Sequence, residues 1–339
     1  MFIRIIAIIT CLILSLSAQM TSHHHTIAHA PIGVMAAHTH HAGAVMLSYR
    51  YMYMGMTGSL DGSESLEDAS IVDPNGSNFI VTPTKMPMQM HMLGAMYAPI
   101  ENLTLILMLP VLSNEMDHLT RSGATFTTAS SGLGDVSLSG MIVLRRFGNQ
   151  QIHVTAGASF PTGSLEAKDV TPASAPNESL LPYPMQLGSG TIDLKPGLTY
   201  LGQQNTLSWG AQISGAFRLG ENSEDYTLGN RLEFTSWGAK MFTSSFSGSV
   251  RIAYSAWGDI DGANAAFAGA VTNRFVPTVF TDLRGGKRLD GGLGVNFSFS
   301  GALSGLRFAV EGLLPVYQSL DGPQLETDFT LTSGLQYAF

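Results

Sequence analysis

The feature that most constrains this chain is a period of two. Residues 245–256 put Phe246, Val250, Ile252 and Tyr254 on one face and Ser247, Ser249, Arg251 and Ser255 on the other. Alternation sustained over about ten residues describes a strand with one apolar and one polar face. The pattern recurs in 12 segments, near 43–56, 86–98, 103–112, 133–146, 151–161, 188–201, 206–219, 227–241, 245–257, 288–300, 306–317 and 326–339. The connections alternate in length. Short ones fall at 99–102, 147–150, 202–205, 242–244 and 301–305; long ones, rich in Ser, Gly, Asp, Glu and Asn, at 57–85, 113–132, 162–187, 220–226, 258–287 and 318–325. This predicts an all-β chain: a transmembrane antiparallel β-barrel of about 12 strands with short periplasmic turns and long extracellular loops. The first long connection follows the first strand, so both termini are expected at the periplasmic side. A soluble sandwich or lipocalin would share the alternation; strand count, strand length and loop alternation favour the membrane.

Composition agrees with that reading. Charged residues make up 12% of the chain, against about 25% in typical soluble domains. Neither disorder nor a coiled coil fits so little charge. The net charge of −8 is scattered and no basic stripe is present, so nucleic acid is not an expected partner. Arg4 precedes an apolar run from Ile5 to Leu16, followed by Ser17, Ala18 and Gln19. This predicts a signal peptide over 1–18, which takes with it the only cysteine, Cys11. Residues 19–42 contain Pro31 and Gly33 and show no alternation. They are expected to form a His-rich periplasmic or lumen-entering arm, leaving 43–339 as the barrel and outer-membrane lipid as its surroundings.

Lipid offers no hydrogen-bond partner, so the barrel must close. Tyr49, Tyr51, Tyr53, Tyr97, Trp209, Trp237, Tyr254 and Tyr337 are candidates for interfacial girdles. Fixing each apolar phase outward turns the other phase inward. Arg50, Asp135, His153, Asp193, Lys195, Arg218, Arg231, Glu233, Arg251, Arg288, Asp290, Arg307, Glu311 and Asp328 are then expected to line the lumen. An arginine or lysine on the lipid face near mid-depth would cost about 2–4 kcal/mol. The mixed signs suit either an ion-paired filling or a mixed-charge path for polar solutes.

The N-terminal third is chemically distinct. His23, His24, His25, His29, His38, His40 and His41 make up seven of ten histidines, and ten of 17 methionines lie between Met35 and Met96. Imidazole and thioether suit copper, thioether preferring Cu(I). Candidate metal ligands are those histidines with Met52, Met54, Met88, Met90 and Met92. Tyr49, Tyr51 and Tyr53 take the outward phase of the first strand, which turns Arg50, Met52 and Met54 inward. In the second strand either the methionines or Gln89 and His91 face in. The competing reading makes the methionines apolar filler and the histidines a solvated arm.

Several stretches carry a family resemblance: Ala30-Pro-Ile-Gly-Val-Met35, Met46-Leu-Ser-Tyr-Arg-Tyr-Met52, Met90-His-Met-Leu-Gly-Ala-Met-Tyr-Ala-Pro99, Ser131-Gly-Leu-Gly-Asp-Val136, Phe160-Pro-Thr-Gly-Ser164 and Leu181-Pro-Tyr-Pro-Met-Gln-Leu-Gly-Ser-Gly190. Leu314-Pro-Val-Tyr-Gln318, Asp321-Gly-Pro-Gln-Leu-Glu326 and Tyr337-Ala-Phe339 complete the set. In order, they resemble bacterial outer-membrane transporters related to the meta-pathway of phenol degradation. The resemblance implies a barrel and a transport role, without a substrate or site residue.

The expected function is a channel or transporter-like barrel for small solutes, requiring no cofactor. The alternative is a copper-handling outer-membrane protein, for which copper ions would be the partner. A membrane-embedded hydrolase has weaker support: His91 and His118 lie toward the loop side, but no Ser-x-His spacing or Gly-x-Ser-x-Gly elbow accompanies them. No P-loop, Rossmann turn or zinc-protease helix is present, and no enzymatic activity is expected.

The last segment alternates Phe329, Leu331, Leu335, Tyr337 and Phe339 with polar or small residues. It resembles the terminal-strand signal read by the barrel assembly machinery in Gram-negative bacteria. Deleting Phe339 should lower outer-membrane levels and the heat-modifiable band far more than deleting a long-loop residue; unchanged migration and abundance would contradict this.

Overall fold

The computed structural model describes residues 29–339. The proposed signal peptide and His23, His24 and His25 lie outside the described residues. Eleven strands form one closed antiparallel ring. They are β1 (Val45–Gly62), β2 (Met88–Ile100), β3 (Leu103–Thr120), β4 (Val136–Phe147), β5 (Gln150–Phe160), β6 (Gly197–Gln204), β7 (Leu207–Leu219), β8 (Arg231–Met241), β9 (Phe246–Trp257), β10 (Gly286–Ser298) and β11 (Leu306–Ala338). Each pairs with the next, and β11 pairs with β1, for example Tyr49 opposite Leu335. No backbone edge is left to lipid.

The expected 12 crossings and the 11 strands describe the same wall. β11 runs for 33 residues. Its first arm, Arg307–Leu320, pairs with β10, and its second, Leu320–Ala338, with β1. The Thr327 amide donates to Gln318 Oε1 and Gln318 Nε2 donates to the Thr327 carbonyl, both at 2.9 Å. The connection expected at 318–325 is therefore a tight hairpin inside one extended element.

Other boundaries move for physical reasons. The segment expected at 188–201 breaks at Lys195-Pro196, because proline has no N–H for the ladder. Ile192–Leu194 forms a separate short strand before β6. The segment expected from 227 begins at Arg231. The connection at 113–132 is largely sheet: β3 continues to Thr120 and pairs with Thr125–Leu133. Val81–Lys85 adds to the same extension.

The long loops also fold on one another. Val81, Leu165, Tyr183, Tyr226, Phe267 and Val276 belong to one buried cluster above the barrel mouth. Among the described residues, α-helix is confined to short turns such as Asp68–Val72 and Ala268–Thr272, and no helix is long and apolar enough to cross a membrane.

The outer wall is apolar: Leu293 is 70% exposed and its cross-strand partner Val250 59%. The inner wall is polar and buried, including Thr104, Ser159, Thr199 and Thr235. Leu293→Arg, mid-strand on the outer face, should cost about 2–4 kcal/mol of folding free energy in lipid vesicles, whereas Leu303→Arg in a short turn should cost no more than about 1 kcal/mol. Equal denaturant midpoints for the two variants would contradict this orientation.

Candidate functional site

The site is built where the segment preceding β1 meets the inner wall. Residues 29–44 contain no strand, only turns. Pro31 lacks an amide donor, so the segment cannot join a sheet there. Its remaining backbone groups find partners on the wall. The Gly33 amide donates to Glu311 Oε2 at 2.7 Å, and Arg307 donates to the Ala30 carbonyl at 2.7 Å. Gln212 donates to the Met35 carbonyl at 2.9 Å, and the His40 amide donates to Thr104 Oγ1 at 3.1 Å. His153 Nε2 lies 3.0 Å from the Ala36 carbonyl. Thr104 and Arg307 are each the second residue of their strand, and His153, Gln212 and Glu311 follow within a few residues. The segment therefore lies across the lumen at the short-turn end.

Its apolar side chains are seated as well. Val34 and Ala37 pack on Trp237, and Ala36 on Met46, Met96 and Met141. Trp237 shares its phase with the buried Thr235 and Ala239, so it belongs under this segment and not to an outer girdle. A Cβ at Gly33 would overlap Glu311 Oε2 and Arg251 Nη1, so glycine is required by close approach.

The inner wall carries layered charge. Arg251 bridges Glu233 at 3.1 Å and Glu311 at 3.3 Å. Nearer the loops, Arg288 pairs with Asp290 at 3.0 Å, and Arg218 with Asp193. Asp193 is held further by Ser159, Ser189 and Thr191. Asp135 accepts from the Gly163 and Ser189 amides, and Lys195 is half-buried nearby. Asp328 departs from the expected inward set. A register shift at Gly55/Met56 leaves Thr327 buried and Asp328 exposed, accepting from Thr57 at 2.7 Å. Arg231 keeps the inward phase but sits exposed at the loop-side rim, its guanidinium 5.5 Å from the centroid of the Trp257 ring.

The methionine phase resolves. Met52 lies opposite Met90, Met54 opposite Met88, and Arg50 opposite Met92. Directly opposed residues share a face, and Arg50 is buried, so all five methionines line the lumen. Gln89 and His91 take the outer phase, where Tyr51 donates to Gln89 at 3.0 Å and Tyr49 meets His91 at 2.7 Å. Met56, Met86, Met88, Met116 and Met185 continue the column toward the loops.

The histidines divide. His38 lies between His29 and His40, with ring centroids 6.2 Å and 5.0 Å away. His41 is apart at the surface, 2.9 Å from Glu101. Among the described residues no group of three or more His, Cys, Asp or Glu side chains is disposed to hold a metal ion.

One cavity borders the segment and another lies among the loops. The first, about 390 Å³ at the short-turn end, is lined by residues including His38, Gln151, Trp209 and Trp237. The other, about 950 Å³, lies under the loops and is lined by Ile80, His118, Phe126, Leu180, Phe267 and Val276 among others. Ala30, Thr104 and Gln212 were not singled out from the sequence as site residues, Gly33 entered only as a break in alternation, and Trp237 was expected in an outer girdle. The available signal was Ala30-Pro-Ile-Gly-Val-Met35, where a proline and a glycine interrupt an apolar stretch.

No family model matches the chain, and no curated protein does. Among solved structures, the chain is similar to the COG4313 outer membrane channel from Pseudomonas putida F1. Identity is 12% and the TM-score is 0.61, over 91% of this chain and 100% of that one. The KdgM porin aligns at 10% identity and a TM-score of 0.40, over 87% of this chain and 99% of that one. A Pseudomonas aeruginosa FadL homologue aligns at 9% and 0.40, over 88% and 89%. The fold is that of an outer-membrane barrel.

Burial holds the His38 imidazole well below its ordinary 6.5, helped by His40, His29, Arg307 and Arg50 around it. The docked segment thus requires a neutral ring, while an undocked one titrates near 6.5. Docking is complete above that pH and weakens as pH falls below it. Emission from Trp237, beneath Val34 and Ala37, should shift red between about pH 7 and pH 5. The shift should vanish in Trp237→Phe and flatten in His38→Asn; an identical shift in His38→Asn would contradict the assignment.

Proposed function

We propose that this chain is a passive outer-membrane channel for small apolar solutes, with residues 30–40 as its resting plug. The observation that carries this reading is the order of features along the lumen. An apolar cavity under the loops is followed by a methionine-lined wall and then by a segment docked across the short-turn end. Methionine is unbranched and polarizable, so it packs against solutes of varied shape. In this reading the short turns face the periplasm, the protein resides in the outer membrane of a Gram-negative bacterium, and the terminal strand engages the barrel assembly machinery. The motif resemblance to transporters linked to phenol degradation points toward solutes of this kind. No cofactor is needed, because diffusion down a gradient requires no chemistry. The copper alternative is not favoured: the methionines form one continuous apolar lining, and His41 is turned away from His38 and His40.

Gly33→Val forces the segment off Glu311 without removing a charge. In planar bilayers it should raise conductance several-fold over wild type. Uptake of a small uncharged aromatic into reconstituted vesicles should fall several-fold in Val276→Asp, while that of a sugar of similar size stays unchanged. Unaltered conductance in Gly33→Val would defeat the plug, and equal aromatic uptake in Val276→Asp would defeat the apolar route. Cu(I) at the same concentrations serves as the control for metal passage.

A further inference from the structure

Arg50 and Arg307 differ from the other buried lumen arginines. Arg218, Arg251 and Arg288 each have a carboxylate within ion-pair distance. Arg50 and Arg307 have none among the described residues, although their exposures are only 6% and 7%. Arg307 donates to Asn296, to Gln336 Oε1 at 2.8 Å and to the Ala30 carbonyl at 2.7 Å. All three acceptors are neutral. The Arg50 side chain forms no hydrogen bond or ion pair among the described residues, and its buried Nε is unpartnered.

Burying one unpaired cation is costly, and two facing the same space cost more. The two guanidinium groups share a small cavity with Ala30, Pro31, His38 and Gln336. Its volume is about 10 Å³, at the lower end of what holds one water-sized guest. A phosphate or an organic carboxylate is too large for it. The remaining groups facing this space bring no negative charge, since His29, His38 and His40 are neutral or cationic.

We propose that Arg50 and Arg307 hold a small monovalent anion of halide size at the junction between segment and wall. The anion supplies the missing counter-charge. It thereby holds Arg307 where it can donate to the Ala30 carbonyl, so it acts as part of the seat of the segment. The site stands on the wall and the segment alone and does not depend on which solute crosses the barrel, or on whether one does.

The test uses the mature protein, folded in detergent or lipid. Crystals grown in sodium bromide should show an anomalous peak at the bromine edge between the two guanidinium groups. Thermal unfolding in chloride or bromide should give a higher Tm than in gluconate at equal ionic strength, and the gain should saturate with halide concentration. Arg50→Met keeps the aliphatic stem and removes one cation, and it should abolish the saturable gain. If that variant does not fold, the wild-type titration and the bromide peak decide the question alone. No peak at this position, or Tm values equal in halide and gluconate, would overturn the proposal. A bromide peak without a saturable halide effect would also overturn it, as an adventitious ion only.

Discussion

Everything in this molecule follows from the absence of hydrogen-bond partners in hydrocarbon. A strand in lipid must pair along both edges, so the 33-residue β11 folds back to meet both β10 and β1. Closure then fixes the meaning of alternation. Every second residue faces lipid and must be apolar; every other one faces a lumen that no lipid fills. Arg218, Arg251, Arg288, Asp193, Asp290 and Glu311 are inside because outside is too costly, and once inside they must find partners. Arg251 does so with Glu233 on the adjacent strand and with Glu311 one strand further on, and Arg288 with Asp290 on its own strand.

A lumen lined in this way leaves spare polar groups and an opening at the short-turn end. Polar wall groups such as Thr104, Gln212, His153 and Glu311 keep hydrogen-bonding capacity beyond what their wall neighbours use. The segment before β1 brings a chain of backbone amides and carbonyls to them, with Pro31 keeping it out of any sheet and Gly33 allowing close approach to Glu311. Its apolar side chains meet Trp237 and the methionines Met46, Met96 and Met141 on the same layer. The same contacts that satisfy the wall thus close the opening.

Much of this was legible from sequence because it rests on period. Strand existence, the alternation of short and long connections and the inward placement of Arg251 or Asp290 need only the phase of each segment. What escaped depends on single residues that break phase. The shift beside Gly55 turned Asp328 outward, Pro196 split a strand, and Trp237 sits in the polar phase because an apolar segment covers it. The direction of Met88, Met90 and Met92 was undecidable alone, since Gln89 and His91 are as polar as the methionines are flexible. Register decided it: opposite Met52, Met54 and Arg50, only the methionines face in. Contacts between residues 30–40 and strands hundreds of positions away have no periodic signature at all.

The lumen wall is therefore built of two materials. On the side of β8 to β10, short ion pairs such as Arg288 with Asp290 fix side chains in place. On the side of β1 to β3, Met52, Met54, Met88, Met90 and Met92 present thioethers with several low-energy rotamers each. A fixed polar wall facing an adaptable apolar one has a directional consequence. A polar solute would compete with ion pairs that are already satisfied, gaining little for its own desolvation. An apolar solute only displaces one methionine rotamer for another while staying out of water. In the proposed channel, this asymmetry of the wall would select what moves along it.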